Sequence, residues 1–354
     1  MFDARTVMCL SDYGRRELNP KWVSLVASFA PYRAAKVGVC RKQFSGWTGE
    51  NGHKFNRATL CQQRDVCPVC SMVYTSILTS DAVELASKIA FATGGRIGFV
   101  SADFTLPGKA QAKVNEVDLS KLRKMCWKVL QEVLGAYDEG GKETRLIAGV
   151  GASQYWHTAN PWKGWFPHFH FTVLDLYYDK REEAFGRSQL FLDSENLRKL
   201  RELWRSRFEE SYGKTMAKCF VVHWRYSYGH GRLKHRLAYA FRRSVSDCYK
   251  MSYRSDLSEG LNRDWMERLL SPPKNEKRIQ WYGWLSDGVK AKFLEKLDIT
   301  VEKKTVRDRE RRKVPCPICG SELYCYRYGV DYDSLSRENE SVVLAFRRAK
   351  EARR

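Results

Sequence analysis

Apolar residues recur every three or four positions in four segments of the chain, and this spacing predicts four helices that each bury one face. The segments are Met72–Ala92, Asp118–Leu134, Ser194–Phe208 and His235–Lys250. In the second segment, Leu122, Val129 and Val133 share one stripe, and Gly135 directly after it favours a helix end. Each of these helices therefore needs an apolar surface to pack against.

Three further segments are rich in β-prone residues and predict strands. Arg96–Leu106 ends before Pro107, while Ile147–Trp156 and His168–Leu176 are separated by turn signals that include Asn160-Pro161. Because helical and strand segments mix and the strand connections have hairpin length, the sequence favours an α+β fold over a doubly wound parallel sheet. We expect an antiparallel sheet with helices packed on one face.

The predicted division of the chain has four parts, although no repeat and no low-complexity tract marks their boundaries. They are an N-terminal segment (1–35), a cysteine-rich module (36–75), a main α+β domain (76–300) and a basic C-terminal region (301–354). The last part contains the charge run Lys303–Lys313 and a CPICG motif. We expect it to be peripheral.

Composition narrows the class of protein. Of the 354 residues, 43% are apolar and 13% aromatic, which excludes a disordered or collagen-like chain. Lys and Arg number 62 against 41 Asp and Glu, a formal net charge of +21, so we expect a polyanionic partner, with nucleic acid first. Since no apolar run of about 18 residues is present and Met1–Arg16 lacks a signal-peptide core, we predict a cytoplasmic protein without a membrane partner.

The spacing of the cysteines predicts a zinc site. Cys67 and Cys70 form a CxxC turn, and Cys61 and Cys40 lie upstream, which gives four thiolate ligands within 31 residues. His53 is an alternative to Cys40 as the fourth ligand. The competing interpretation is a set of unrelated buried thiols or a redox CxxC, but no thioredoxin-like context accompanies the motif.

A second CxxC turn, Cys316 to Cys319, has only Cys325 nearby. It either binds zinc with a fourth ligand from elsewhere or holds no metal. Both cysteine turns would be structural rather than catalytic, because four thiolates close the coordination sphere of zinc.

The segment PHFHFTVL (167–174) alternates, so His168 and His170 share one strand face and the apolar residues point to the other. Imidazoles two residues apart on a strand lie about 6–7 Å apart, close enough to share one ion. The third ligand is open among Gln154, His157 and Asp103. The alternative is a polar strand face with two exposed histidines.

Aromatic residues crowd the same region, and they fit either stacking on unpaired bases or ordinary packing. They are Tyr155, Trp156, Trp162, Trp165 and Phe166.

In the last predicted helix, Tyr239 lies near Arg242 and Arg243, three and four residues further on. Two guanidinium groups beside a phenol suit a phosphate, because they can hold its oxygens and favour the phenolate needed for attack. By itself, a tyrosine on a basic helix is more often a solvated or packing residue.

In this order, the cysteine module, the histidine strand and the tyrosine helix resemble a rolling-circle replication initiator of the HUH endonuclease superfamily, of the plasmid type with an N-terminal cysteine module. The resemblance covers roughly Val37 to Leu285. It includes the strand at Phe99–Leu106, the PHFHF motif, the segment LAYAFRRS, and a late RIQWYG stretch similar to the closing glycine motif of the family.

The resemblance implies an RRM- or ferredoxin-like sheet core, with 76–300 as the catalytic domain. It implies that His168 and His170 bind a catalytic Mg²⁺ or Mn²⁺ and that Tyr239 is the nucleophile. Gln154 aligns with a third ligand that is often Glu in the family, and Arg242 stands where the family has a lysine. No second tyrosine follows at helical spacing, because Tyr249 is ten residues away, so a single-tyrosine mechanism is expected.

The expected function is metal-dependent nicking and rejoining of single-stranded origin DNA through a 5′-phosphotyrosine, in a plasmid or viral replicon. The chain has no GxxxxGK[ST] phosphate loop, so a host helicase would unwind the DNA, and a host polymerase would extend it. The alternatives are a transposase or relaxase of the same superfamily and a non-catalytic, zinc-stabilised nucleic-acid-binding protein.

Overall fold

A computed structural model describes residues 18, 20–40, 43–49, 54–58, 60–95, 98–105, 119–156, 165–187, 194–213, 222–242, 245, 249, 277–300, 314–315 and 322–331. At 43–49, 54–58, 155–156, 165–167, 314–315 and 322–331 it describes the backbone alone. The chain divides into two compact units. Unit 1 is drawn from 1–71, 249–258 and 302–354, and unit 2 from 72–248 and 259–301. The four-part division stays a prediction.

The helices are α1 (Pro20–Phe29), α2 (Pro31–Gly38), α3 (Pro68–Ala92), α4 (Leu119–Val133), α5 (Ser194–Tyr212), α6 (His230–Phe241) and α7 (Lys290–Glu295). The strands are β1 (Gln43–Gly49), β2 (Lys54–Ala58), β3 (Gly98–Thr105), β4 (Arg145–Trp156), β5 (Trp165–Asp179), β6 (Ala184–Gly186), β7 (Val222–Tyr228), β8 (Ile279–Gly283), β9 (Val314–Pro315) and β10 (Glu322–Asp331). In the ranges that the structure describes, no helix combines the length and apolar character needed to cross a membrane.

Unit 1 contains α1 and α2 and a four-stranded antiparallel sheet in the order β2-β1-β10-β9. Each of the two helices begins at a proline, whose fixed φ suits the first helical position. Trp22 is buried, its indole N–H donates to the carbonyl of Val66 at 3.0 Å, and Tyr249 packs edge-on against its ring at 5.7 Å. The sequence patterns predicted none of these helices or strands.

Unit 2 is built on a six-stranded antiparallel sheet. Five strands follow the order β7-β3-β5-β4-β8, and β6 adds to the end of β5. The predicted α+β class with an antiparallel sheet is confirmed. The three predicted strands are β3, β4 and β5, and the first three predicted helices are α3, α4 and α5, each with bounds that differ by a few residues.

Helices pack on both faces of this sheet rather than on one, which corrects the expectation from the sequence. On one face, Phe104 and Phe171 pack against Trp204 of α5 and Trp127 of α4, with ring centroids 5.5 and 6.1 Å apart. Gly151 on β4 makes room there, because a Cβ at that position would lie 2.6 Å from the Phe171 ring. Both faces of the sheet carry buried apolar side chains, and each therefore needs a cover.

The opposite face is covered by α3 and α6. Ala82 and Val83 of α3 and Leu237 of α6 pack there with Phe99 of β3 and Val150 of β4 in one buried cluster. The histidine pair lies on this same face, so α6 crosses the sheet next to it.

The helix α6 starts at His230 and ends at Phe241, whereas the sequence predicted roughly His235–Lys250. Leu233 extends the apolar stripe four residues towards the N-terminus and is buried, which explains the earlier start. Arg242 leaves the helical conformation at ψ 134°. Of the remaining predicted residues, the structure describes only Val245 and Tyr249.

Candidate active site and metal centre

The central strand β5 places His168 and His170 side by side on the face covered by α6. Both side chains are buried, and their ring centroids lie 4.7 Å apart. In the antiparallel register, His168 lies opposite Gln154 of β4 and Thr105 of β3, while His170 lies opposite Asp103 of β3. Directly opposed residues share a face, so the pairing brings these polar side chains together. The predicted alternative of two exposed histidines does not describe this face.

Asp103 orients the imidazole ring of His170. Its Oδ1 lies 2.7 Å from Nδ1 of His170. Arg236 of α6 donates to both carboxylate oxygens, through Nη1 to Oδ2 at 3.2 Å and through Nη2 to Oδ1, and Nη2 also donates to the carbonyl of Phe171 at 3.3 Å. A carboxylate occupied in this way orients an imidazole rather than competing with it for a metal.

The electrostatics favour a neutral His170. Burial, the largest cause, lowers the pKa of His170 despite the neighbouring carboxylate. Burial alone would raise the pKa of Asp103, but the hydrogen bond from His170 and the charge of Arg236 hold it well below its usual range. An ionised carboxylate only accepts, so the proton of His170 lies on Nδ1 and the lone pair on Nε2.

Nε2 of His170 is the atom that would meet a ligand. It is buried and has no hydrogen-bond partner among the described residues. Buried polar atoms are rarely left without a partner, and a metal ion is one group that satisfies a neutral imidazole nitrogen. Two imidazoles, with the amide oxygen that Gln154 is predicted to supply, fit a divalent cation such as Mn²⁺ or Mg²⁺ only with water completing the sphere.

Gln154 touches the helix α6 directly. Its Nε2 donates to the carbonyl oxygens of Tyr239 at 2.7 Å and Ala240 at 3.2 Å. Both partners are acceptors, which assigns the amide nitrogen to this side and leaves Oε1 for other contacts. The role of Gln154 as a metal ligand stays a prediction.

Tyr239 lies over the histidines, near the end of α6. Its ring centroid is 5.1 Å from that of His170 at a steep angle, and 36% of the residue is exposed. The guanidinium carbon of Arg242 lies 5.5 Å from the centre of the phenol ring. Arg243 and His157, which the sequence also proposed for this site, lie outside the described residues. The structure therefore brings two imidazoles from β5 together with a phenol from α6 and an arginine that directly follows this helix.

A cleft of about 680 Å³ leads to this place along β7 and α6. Three arginines and one aspartate supply the charges of its walls, and Tyr239 lies in its lining. The lining residues with polar or charged side chains are Ser101, Asp103, His223, Arg225, Ser227, Arg232, His235, Arg236 and Tyr239. Within the described part of the chain, neither Arg225 nor Arg232 pairs with a carboxylate, so their charges remain available for an anion.

Sequence analysis missed Arg236 and the strand β7 that forms one wall of the cleft. Arg236 lies three residues before Tyr239, and this helical spacing was a usable signal for a shared face. The alternation of Trp224, Tyr226 and Tyr228 was a usable signal for β7. Neither pattern, however, identifies Asp103 as the partner of Arg236, because the two residues are 133 positions apart.

In unit 1, the side chains of Cys40, Cys61, Cys67 and Cys70 converge. Their four Sγ atoms lie within 4.8 Å of one another, with distances of 3.8 Å from Cys40 to Cys70, 3.5 Å from Cys61 to Cys70 and 3.5 Å from Cys67 to Cys40. Four sulfurs at about 2.3 Å from a central ion at tetrahedral angles lie roughly 3.8 Å apart. The cluster is therefore compatible with a structural metal such as zinc, and Cys40 rather than His53 completes the set.

The thiols of this cluster influence one another strongly. Hydrogen bonds from Cys40 and its two other neighbours lower the pKa of Cys61, while contact with Cys40 and the other thiols raises the pKa of Cys67. Four thiolates repel one another unless a cation lies between them, so metal binding would release the remaining protons. Cys316, Cys319 and His53 lie outside the described residues, and only the backbone of Cys325 is described.

No family model, no curated protein and no solved structure matches this chain. The assignment of both sites therefore depends on the side-chain geometry given above.

Proposed function

We propose that unit 2 nicks and rejoins single-stranded DNA and that the protein initiates rolling-circle replication of a plasmid or virus in the cytoplasm. The observation that carries the proposal is the convergence of His168, His170 and Tyr239. The ring centroids of the two histidines lie 4.7 Å apart, and those of His170 and Tyr239 lie 5.1 Å apart. A phenol next to a neutral imidazole with a free lone pair is the arrangement needed for metal-assisted attack on a phosphate.

In the proposed reaction, the oxygen of Tyr239 attacks the scissile phosphorus as the bond to the 3′ oxygen breaks. The phenol proton passes to the departing 3′ oxygen, which becomes a hydroxyl, and the 5′ phosphate becomes an ester of Tyr239. The ester conserves the energy of the phosphodiester, so the reverse attack rejoins the strand. Arg242 lies where it can hold a non-bridging oxygen.

His168 and His170, with Gln154, would hold a Mg²⁺ or Mn²⁺ ion, which when bound polarises the phosphate as a Lewis acid. Asp103 and Arg236 keep His170 in the tautomer that presents Nε2. The zinc proposed for the four cysteines of unit 1 stabilises that unit and takes no part in the chemistry.

The cleft supports a single-stranded substrate. Arg225 and Arg232 line it, and in-line attack needs a phosphate that is free of the duplex. Phosphate contacts from basic side chains make binding salt-dependent, by about 0.7 in the log–log slope for each phosphate neutralised on a single strand. Replacing both arginines with alanine is therefore expected to reduce this slope by roughly 1.4. A slope unchanged in fluorescence-anisotropy titrations would place the strand elsewhere.

The test of the chemistry uses the full chain, Mn²⁺ and single-stranded DNA from the replicon that encodes the protein. A denaturing gel then reports any covalent protein–DNA species. Wild type is expected to form the adduct and Tyr239→Phe is expected to bind the DNA without forming it. Tyr228→Phe is the matched control, because this exposed tyrosine stacks with Arg232 of the cleft wall.

Three results would contradict the proposal in different ways. An adduct that persists in Tyr239→Phe would move the nucleophile to another tyrosine, with Tyr249 the first to examine. An adduct lost in Tyr228→Phe as well would show that the assay reports disruption of the cleft. No adduct with any form, on DNA that the protein binds, would favour the alternative of a zinc-stabilised binding protein without catalysis.

A further inference from the structure

The C-terminal end of α6 is held by side chains from two other elements. A helix leaves its last four carbonyls without partners inside the helix. In α6, Nε2 of Gln154 satisfies the carbonyls of Tyr239 and Ala240, and Oγ1 of Thr75 on α3 donates to the carbonyl of Phe241 at 3.3 Å. Gln154 is 4% exposed, so water does not substitute for it.

We propose that Gln154 is a positioning residue: it ties the backbone of Tyr239 to the strand next to the histidine pair through an amide N–H group, which a carboxylate of the same size lacks. This inference rests on the proposed function for its consequence, but the tether itself is a property of the fold. The hydrogen bonds to α6 explain why position 154 is Gln, whereas metal binding alone would favour Glu.

The register makes the tether effective. Gln154 lies directly opposite His168 across the β4–β5 ladder, so one residue is fixed to the histidine strand through the sheet and to Tyr239 through its side chain. A displacement of the last turn of α6 would move the phenol relative to His170. Reactions between positioned groups lose about 100-fold in rate for a misplacement on the order of 1 Å.

A carboxylate at position 154 reverses the interaction. Its oxygens accept but do not donate, so they would face the carbonyl oxygens of Tyr239 and Ala240 without a proton between them. If Gln154 acted only as a metal ligand, Gln154→Glu would bind Mn²⁺ more tightly and react faster. The tether predicts instead that Gln154→Glu reacts more slowly than wild type.

The experiment compares wild type with Gln154→Glu and Gln154→Met, the second of which keeps the length of the side chain without the donor. Gln280→Glu is the matched control, because Gln280 uses Oε1 to accept from Nη2 of Arg123 at 3.1 Å, a role that a carboxylate fills. Hydrogen exchange followed by mass spectrometry reports the last turn of α6 without requiring activity. A covalent-adduct time course at saturating Mn²⁺ reports the consequence.

Amides in the last turn of α6 are expected to exchange at least tenfold faster in both Gln154 variants than in wild type and Gln280→Glu, with β3 and β5 unchanged. Adduct formation at saturating Mn²⁺ is expected to fall at least tenfold in the same two variants. Unchanged exchange in Gln154→Met, or faster adduct formation by Gln154→Glu, would overturn the inference. If Gln154→Glu also exchanges faster in β3 and β5, its effect is not specific to α6, and the exchange measured for Gln154→Met decides the test. Absence of an adduct in wild type would refute the proposed function and leave the exchange test of the tether intact.

Discussion

Replacing Asp103 with Asn tests the polar cluster formed by Asp103, His170 and Arg236. The substitution keeps the size of the side chain and removes its charge. Asp103 accepts three hydrogen bonds, one from Nδ1 of His170 and two from Arg236, and its side chain is 23% exposed while that of Arg236 is 11% exposed. The change therefore leaves a mostly buried guanidinium without a counter-ion among its described partners.

The expected cost follows from the number of bonds. Hydrogen bonds to a charged group contribute about 1.5–3 kcal/mol each, and neutral ones about 0.5–1.5 kcal/mol. Three bonds that each weaken by about 1 kcal/mol lower the free energy of unfolding by roughly 3 kcal/mol. For a unit of this size, with about 2–4 °C per kcal/mol, the midpoint of thermal unfolding falls by roughly 6–12 °C.

Differential scanning calorimetry of wild type and Asp103→Asn at pH 7 measures this loss. Asp287→Asn is the control, because Asp287 and Lys277 form a pair that is 79% and 69% exposed, and exposed pairs contribute about 0–1 kcal/mol. A midpoint for Asp103→Asn within 2 °C of the control would refute the stabilising role of the cluster.

The pKa of Asp103 also predicts how the difference in stability between wild type and Asp103→Asn depends on pH. Burial would raise the pKa of Asp103, but His170 and Arg236 outweigh it, so the pKa in the folded protein lies below the usual value. The stabilisation is therefore complete above the unfolded pKa of about 4 and is lost only as the pH falls through the lowered folded pKa. The gap between wild type and Asp103→Asn should stay constant from about pH 7 to pH 5, and narrowing within that range would contradict the assignment.

Two other predictions concern the cysteine cluster and the packed face of the sheet. Cys67→Ser is expected to remove one zinc ion per chain from the purified protein and to lower its thermal stability. Cys126→Ser, which replaces a fully buried thiol of α4, should retain the ion. Mass spectrometry of the intact protein measures the zinc content of both variants. Gly151→Ala is expected to destabilise unit 2 by about 1–3 kcal/mol, because its Cβ would meet the rings of Phe171 and Tyr282 at 2.6 and 2.9 Å. Gly231→Ala, with nothing within 4 Å, should leave the denaturant midpoint unchanged or raise it slightly.

The sequence could predict elements whose pattern is local and regular. The stripes of α4 and α5 follow the helical period, and the period of two in β5 correctly placed His168 and His170 on one face. The strands β1 and β2 could not be found in the same way. They are short and contain Gly and polar residues, and β1 pairs with β10, which lies more than 270 residues further along the chain.

The cysteine cluster shows how far spacing alone reaches. The CxxC turn and Cys61 lie within ten residues of one another, so their meeting is a local matter. Cys40 comes from the end of α2, beyond the two strands of a hairpin, and its selection over His53 depends on how that hairpin folds back. Three sulfur ligands were predictable from spacing, whereas the choice of Cys40 as the fourth ligand depends on the folded structure.

The arrangement of the histidine pair and Tyr239 depends in the same way on contacts between distant parts of unit 2. Motifs supply a histidine pair and a tyrosine, but only the crossing of α6 over the sheet brings Tyr239 to His170. That crossing is fixed by Leu237 in the apolar cluster, by Arg236 on Asp103 and by Gln154 under the last turn. The polar contacts determine where the phenol lies along the strand, since apolar packing alone tolerates small shifts. A chain with the same two motifs but without these anchors would keep the chemical groups and lose their geometry.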